Sequence, residues 1–108
     1  YAPRSKQSPH DGGLRTPIMI RWPGQIAPRA VETPIVSIDI APTILAAVGL
    51  SPTPAMTGVN LLDEKAVQHR SAIYGECFTH TALDMDDPAR NLRWRWVVAD
   101  GWKLIDPS

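Results

Sequence analysis

The sequence predicts a small α+β fold with one core strand, one short helix and a small antiparallel sheet near the C-terminus. Residues 14–22 contain a nearly continuous apolar run ended by a Pro-Gly turn signal, as in a strand covered on both faces. Apolar residues recur at helical spacing after Asp39. Tryptophan and arginine alternate within residues 92–105, which is typical of a half-buried strand in a hairpin.

The helix is predicted to begin at Asp39 and to end before Gly49. Aspartate is a favoured N-cap residue, and Pro42 is tolerated because it falls in the first turn. Glycine is common just past the last helical residue. The apolar segment 35–50 is interrupted and too short to cross a membrane, so no membrane partner is expected.

The C-terminal sheet is predicted to combine a strand at 71–78, a long acidic loop at 79–91 and the hairpin at 92–105. We expect it to be packed by five large side chains: Tyr74, Trp94, Trp96, Trp102 and Leu104.

Two turns are compatible with the hairpin. A two-residue turn, 100–101, would place Trp102 opposite Ala99 and divide the apolar residues between two faces. A three-residue turn, 99–101, would place Trp102 opposite Val98 and keep one apolar face, so we predict the three-residue turn.

Composition excludes several function classes. Eleven basic and eleven acidic side chains cancel in 108 residues, which disfavours a nucleic-acid partner, and the strand alternation already explains the Trp-Arg pattern. Residues 1–30 nevertheless carry five basic side chains against one acidic, which suits a small anion. A single cysteine, Cys77, excludes an intrachain disulfide and a multi-cysteine zinc site.

Residues 6–17 contain the first candidate site. A glycine pair, Gly12-Gly13, permits close approach of backbone to a ligand, and Lys6 offers a point charge for an anion. The same pattern also fits a tight turn beside a solvated lysine, and the residues alone do not choose between the two interpretations.

The order of several motifs carries a family resemblance. They are Lys-x5-Gly-Gly-x-Arg-x-Pro, Ile-x-Arg-Trp-Pro-Gly, Ser-Ile-Asp-Ile-Ala-Pro-Thr-Ile-Leu with a following glycine, Gly-Val-Asn-Leu-Leu, and the segment from Trp96 to Ile105. In this order they resemble the sulfatases of the alkaline-phosphatase superfamily over nearly the whole chain. The resemblance implies an α/β parent enzyme that hydrolyses sulfate esters with a formylglycine nucleophile and Ca²⁺.

The sequence lacks the parts of a sulfatase that carry those two groups. It has no Cys/Ser-x-Pro-x-Arg motif and no counterpart of the family's Asp-Asp and Asp-Asn metal pairs. Its Asp86-Asp87 pair lies in the late acidic loop and does not match them. We therefore expect no metal or other cofactor in this chain, which resembles the C-terminal part of an arylsulfatase-like enzyme. Residues 1–50 would form the end of the catalytic domain, and residues 51–70 would be a linker. Residues 71–108 would form part of the C-terminal antiparallel subdomain.

The resemblance also implies roles for particular residues. Lys6 matches the lysine that contacts the substrate sulfate. His10 is either an additional cation near the site or a surface histidine, and Arg15 is expected to clamp the loop. Glu76 and His80 either select the organic part of the substrate or simply belong to a solvated loop. Structural roles are expected for Gly12, Gly13 and Asp39, the last as a helix cap.

The expected partners are an N-terminal catalytic region of the same protein and a sulfated small molecule or saccharide. Without that region the chain should be inactive, and apolar surface should be exposed around Ile18, Ile20 and Ile35. Two alternatives stay open: a stand-alone binding or structural module, and part of a phosphate or phosphonate ester hydrolase. Many sulfatases are periplasmic or secreted, and the resemblance extends that expectation to the parent.

Overall fold

The computed structural model describes residues 7–107 and confirms the α+β class. The chain forms, in order, α1 (Asp11–Leu14), α2 (Ile40–Ala47), α3 (Glu64–Gln68), β1 (Ala72–Phe78), β2 (Leu92–Ala99) and β3 (Trp102–Pro107). Short 3₁₀ turns, Ser37–Asp39 and Pro88–Asn91, precede α2 and β2. None of the described helices is long and apolar enough to cross a membrane.

The described residues divide into two compact units. We call residues 7–30 with 74–107 the sheet unit, and residues 31–73 the helix unit. These units differ from the predicted division of a parent enzyme into segments 1–50, 51–70 and 71–108. That division stays a prediction.

Helix α2 forms where the sequence predicts it, and Gly49 ends it. Gly49 has a φ of 76°, which favours glycine, and its N–H donates to the carbonyl of Ala46 at 3.1 Å. The Leu50 N–H donates to the carbonyl of Leu45 at 2.9 Å. These two bonds make a Schellman motif, which satisfies carbonyls that the helix end would otherwise leave unpaired.

The role of Asp39 differs from the predicted helix cap. Asp39 stands at the N-cap position of α2, but its carboxylate makes no capping bond to that helix. It accepts hydrogen bonds from the N–H groups of Val36 and Val59, each at 2.9 Å. Arg70 donates to both carboxylate oxygens, at 2.6 and 2.7 Å. The Asp39 side chain is fully buried, so it uses its acceptor capacity to join three separate segments of the helix unit.

Burial and hydrogen bonding act on Asp39 in opposite directions. Burial would raise the pKa of the carboxyl, but the hydrogen bonds from Arg70, Val36 and Val59 outweigh it, and the pKa lies below the ordinary 3.8. The pair with Arg70 therefore stabilises the fold fully above pH 3.8, and this contribution is lost as pH falls through the lowered pKa.

The predicted core strand at 14–22 is not formed. Residues 15–22 are irregular, because a strand requires hydrogen bonds to a neighbouring strand and the described residues provide none for this segment. The apolar surface predicted around Ile18, Ile20 and Ile35 is exposed only in part. Ile20 is 45% exposed, and Ile18 and Ile35 are half-buried.

The three strands form one sheet in the order β1–β2–β3, and β2 pairs with β3 in antiparallel register. Ala99 lies opposite Trp102 and Val97 opposite Leu104, so the turn has two residues and the predicted three-residue turn is wrong. Asp100 and Gly101 both have positive φ, 49° and 77°, as in a type I′ turn. This turn matches the twist of the strands, and that local geometry outweighs the single apolar face that the prediction favoured.

The two-residue turn gives the hairpin two partly apolar faces. Trp94, Trp96 and Ile105 share the first face and are half-buried, whereas the intervening arginines are exposed, as predicted. Trp102 and Leu104 lie on the second face, 82% and 66% exposed. Tyr74 is also exposed. The prediction that Tyr74, Trp102 and Leu104 pack together with Trp94 and Trp96 is therefore wrong.

Gly75 in β1 allows Trp96 to lie against the sheet. A Cβ atom at this position would overlap Cζ2 of the indole ring. We expect Gly75→Ala to force the ring aside and to lower the free energy of unfolding by about 1–3 kcal/mol. Urea denaturation measures this, with the neighbouring Glu76→Ala as the control; equal stabilities of the two variants would contradict the packing described.

Removal of Arg70 should leave a buried carboxylate without its partner. We expect Arg70→Met to cost about 3–5 kcal/mol at pH 7. The difference from the unmodified chain should shrink as Asp39 becomes protonated at low pH, because the lost pair stabilises only the ionised form. Urea denaturation between pH 7 and pH 3 measures both effects. Arg90→Met, which removes an exposed pair, is the control; a pH-independent loss in Arg70→Met would argue against the assignment.

Candidate functional site

The segment that follows Lys6 has a defined structure in the sheet unit. Lys6 itself lies outside the described residues, so its predicted contact with sulfate stays a prediction. Gln7 has a left-handed backbone, φ 63°, which is uncommon for a residue other than glycine. Ser8 and Pro9 are buried, and the His10 N–H donates to Ser8 Oγ at 3.3 Å. Residues 7–10 are therefore a packed loop rather than a solvated tail.

An ion pair fastens this segment to the hairpin. Lys103 Nζ in β3 lies 2.9 Å from Asp11 Oδ1, 92 residues earlier in the chain. The same Nζ atom lies 5.3 Å from the centre of the Trp96 ring, within the range of a cation–π interaction. The hydrogen bond from Lys103, and then its charge, lowers the pKa of Asp11. Lys103 thus connects the loop after Lys6 to the packed face of the sheet.

The loop and the hairpin enclose a cleft of about 200 Å³. Residues 7–10 form one side, and Arg93, Trp94 and Ile105 form the other. The residues that line it include two of basic type, His10 and Arg93, one aromatic and one aliphatic residue, and no acidic residue. A cleft of this composition can accept an anionic group attached to a partly apolar body.

The other predicted substrate residues do not line the cleft. Glu76 is exposed in β1, and its Oε1 lies 3.5 Å from Nε of Arg95. This is a cross-strand ion pair on the more exposed face of the sheet. His80 is exposed just beyond β1. The structure brings His10 to the cleft and leaves Glu76 and His80 elsewhere in the sheet unit.

The glycine pair and Arg15 have local roles that differ in part from expectation. Gly12 and Gly13 lie in α1, a single helical turn, where the Gly13 N–H donates to His10 O at 2.8 Å. The Arg15 N–H donates to Asp11 O, also at 2.8 Å. The Arg15 side chain is exposed and forms no ion pair with any described residue. Among the described residues the segment is fastened by Lys103 and Asp11, and the predicted clamp by Arg15 stays a prediction.

The acidic loop after β1 is ordered by its own side chains. Asp84 Oδ1 accepts hydrogen bonds from the N–H groups of Asp86 and Asp87, and Oδ2 accepts from Arg90 at 2.9 Å. The bonds from Asp87 and Asp86, then that from Arg90, lower the pKa of Asp84. Asn91 is buried and bonds to the Asp84 backbone through both atoms of its amide. Across the described residues, no group of three or more His, Cys, Asp or Glu could hold a metal ion.

Arg93 and Lys103 were not singled out from the sequence. Arg93 belongs to an alternation that assigns it to the outer face of a strand, and nothing local shows that the loop after Lys6 lies beside it. For Lys103 the sequence gives a weak indication of a structural role. With a two-residue turn it lies opposite Val98 on the packed face, where a lysine requires a partner, and Asp11 is the single acidic residue in the basic first segment.

Comparison with known proteins identifies the chain as a C-terminal portion of the sulfatase type. The chain matches, over residues 5–106, the family described as N-sulphoglucosamine sulphohydrolase, C-terminal, and it belongs to that family. It is also 30% identical over 97 residues to a protein named Ulvan-active sulfatase from Formosa agariphila. That alignment covers 88% of this chain and 16% of the relative, so the chain corresponds to a small part of the relative's length. No solved structure gives a significant match.

The exposed Asp11–Lys103 pair should contribute order more than stability. We expect Asp11→Asn to change the free energy of unfolding by less than about 1 kcal/mol. Amide exchange at Gly13 and Arg15 should accelerate, because α1 loses its attachment to β3. Acidification of the unmodified chain should likewise lower the protection factors of both amides, taken relative to the intrinsic exchange rate at each pH, as pH falls through the lowered pKa of Asp11. Hydrogen exchange followed by NMR measures this, with Asp86→Asn as the control; unchanged protection of both amides would contradict it.

Proposed function

We propose that this chain is the C-terminal part of a sulfatase that hydrolyses sulfate esters. In this proposal Lys6 contacts the substrate sulfate, and the loop and hairpin of the sheet unit shape the adjacent binding surface. The observation that carries the proposal is the family match over residues 5–106, which includes Lys6 and both sides of the cleft. The attachment of the loop to Lys103 supports it, because a residue next to an anchored loop can be held in position for catalysis.

The chemistry assigned to Lys6 is electrostatic. As the ester S–O bond breaks, negative charge grows on the sulfate oxygens and on the departing oxygen, and a positioned ammonium group stabilises that charge. Removal of one such donor from an enzyme typically costs a factor of about 10²–10³ in rate. A lysine is a compact point charge and does not itself distinguish sulfate from phosphate, so selectivity between the two anions must reside elsewhere.

The formylglycine nucleophile and the Ca²⁺ ion of sulfatases do not fit the residues present here. The 108 residues contain no Cys/Ser-x-Pro-x-Arg motif, and Cys77 is followed by Phe78-Thr79-His80. The described residues contain no cluster suited to a metal ion. When present in a sulfatase, these groups supply the nucleophile and the Lewis acid. We propose that an N-terminal catalytic region of the same protein holds both, and that the chain alone does not hydrolyse sulfate esters.

Exposed apolar surfaces in each unit support a large covering partner. In the helix unit Ile40 and Ile44 of α2 and Val48, just after its end, follow one another at four-residue spacing, and all three are exposed. In the sheet unit Trp102 and Leu104 are exposed on one face of the hairpin. Val67, 6% exposed, is the one large hydrophobic residue that is buried among those that the structure describes. We propose that these surfaces pack against the catalytic region.

The substrate that we propose is a sulfated saccharide. The relative from Formosa agariphila is named for activity on ulvan, and the cleft beside the loop after Lys6 supports a substrate with a body larger than the sulfate group. The stand-alone module and the phosphate or phosphonate ester hydrolase remain as alternatives that the following experiment separates.

The test compares Lys6→Gln with Lys65→Gln, an exposed lysine beyond the sheet unit, in the complete sulfatase that contains this segment. We expect Lys6→Gln to lower kcat/KM for a sulfated saccharide about 10²–10³-fold and Lys65→Gln to change it less than twofold. Sulfate release under steady-state conditions measures both, and the 108-residue chain alone should release none. Equal activity of the two variants would overturn the role of Lys6. Faster hydrolysis of the matching phosphate ester would favour the phosphate alternative, and turnover by the chain alone would overturn the need for a catalytic region.

A further inference from the structure

Lys103 has two partners on different segments of the sheet unit, and its side chain is only 20% exposed. The Nζ atom lies 2.9 Å from Asp11 Oδ1 and 5.3 Å from the centre of the Trp96 ring. A lysine without partners would extend its ammonium group into solvent, because burial of an unpaired charge is costly. The carboxylate and the aromatic ring therefore hold this side chain in one place.

The two partners of Lys103 differ in how firmly they are held. Trp96 belongs to β2, the middle strand of the sheet, and its ring lies against Gly75 of β1. A ring packed in this way has little freedom to move. Asp11 is 65% exposed, and it belongs to α1, a single helical turn with no buried residue. The pair with Lys103 therefore fixes α1 to the sheet more than it stabilises the sheet itself.

Lys103 also has the largest effect of the charged groups that face Asp11. Its hydrogen bond and then its charge lower the pKa of the Asp11 carboxyl most, and the charges of Arg15 and His10 lower it further. Arg15 and His10 belong to the same short segment as Asp11, so they cannot attach that segment to the sheet. Among the described residues, the ion pair with Lys103 is the one that joins the Asp11 carboxylate to a strand.

The segment between Asp11 and Lys6 is short and packed, so the position of α1 affects the chain next to Lys6. The His10 N–H donates to Ser8 Oγ at 3.3 Å, and Ser8 is 6% exposed. Only Gln7 separates Ser8 from Lys6 in the sequence. A displacement of α1 would therefore shift the backbone that leads directly to the lysine.

We propose that Lys103 is a positioning residue for the sulfatase reaction, which holds residues 7–14 through its ion pair with Asp11 so that Lys6 meets the substrate sulfate. This inference rests on the proposed function and adds to it a residue from β3. Lys103 acts on the reaction through the loop and does not touch the substrate. Its contribution is orientation, because a charged group accelerates a reaction only when it is held where charge develops.

The experiment measures sulfate release from a sulfated saccharide by the complete sulfatase that contains this segment. Lys103→Met removes the ammonium group and keeps an apolar side chain beside the Trp96 ring. Asp11→Asn removes the ion pair from its exposed side, where a change of shape is small. Each substitution is made in the unmodified enzyme and in the Lys6→Gln variant. Arg95→Met, which breaks another ion pair of the same sheet, is the control.

We expect Lys103→Met and Asp11→Asn each to lower kcat/KM about fivefold in the unmodified enzyme, which corresponds to about 1 kcal/mol of activation free energy. In the Lys6→Gln variant the same substitutions should change kcat/KM less than twofold. Residues that act through one another give such non-additive effects, because a misplaced loop has no ammonium group left to misplace. Arg95→Met should change kcat/KM less than twofold in both backgrounds.

An equal loss in both backgrounds would show a merely structural role for Lys103 and would overturn the inference. Unchanged activity in both Lys103→Met and Asp11→Asn would also overturn it, as would an equal loss in Arg95→Met. In each of these cases a large loss in Lys6→Gln would still uphold the proposed function. Equal activity of Lys6→Gln and the unmodified enzyme would overturn the role of Lys6, and this inference with it.

Discussion

The Asp39 carboxylate accepts hydrogen bonds from Val36, Val59 and Arg70, three positions that lie far apart in the sequence of the helix unit. The Thr43 hydroxyl donates to the Asp39 carbonyl at 2.6 Å and accepts from the Leu61 N–H at 2.8 Å. Thr43 therefore joins the segment around Leu61 to the residues held by Asp39. A buried carboxylate is tolerated only when it is fully paired. Because the Asp39 carboxylate is fully paired, its hydrogen bonds hold together a unit with few buried hydrophobic side chains.

The sheet unit is organised by the same kind of interaction. Asn91 orders the acidic loop before β2, and Lys103 attaches the segment after Lys6 to β3. In both units, paired polar groups hold segments that are distant in sequence, and apolar faces are left for other contacts. Fully paired polar groups of this kind can fix the shape of a unit that buries few large hydrophobic side chains.

Patterns confined to one element were predicted correctly from the sequence. The spacing after Asp39, the stop at Gly49 and the alternation in β2 are each set by neighbours a few residues apart.

The prediction failed where the structure depends on a segment that is distant in the sequence. The segment 14–22 lacks a strand to pair with, and the turn at Asp100 was assigned on the assumption of one buried face. At the site, His10 was within reach of sequence reasoning, but Arg93 became relevant only when folding placed it beside a loop more than 80 residues earlier.

The two-residue turn between β2 and β3 makes the length of that connection functionally sensitive. Surface hairpins usually tolerate insertions, yet a single added residue here would rotate every β3 side chain to the opposite face. Lys103 would then point away from Trp96 and from Asp11, and the segment beside Lys6 would lose its attachment. Length variation at residues 100–101 is therefore expected to be rare among active homologues, although the turn itself is exposed.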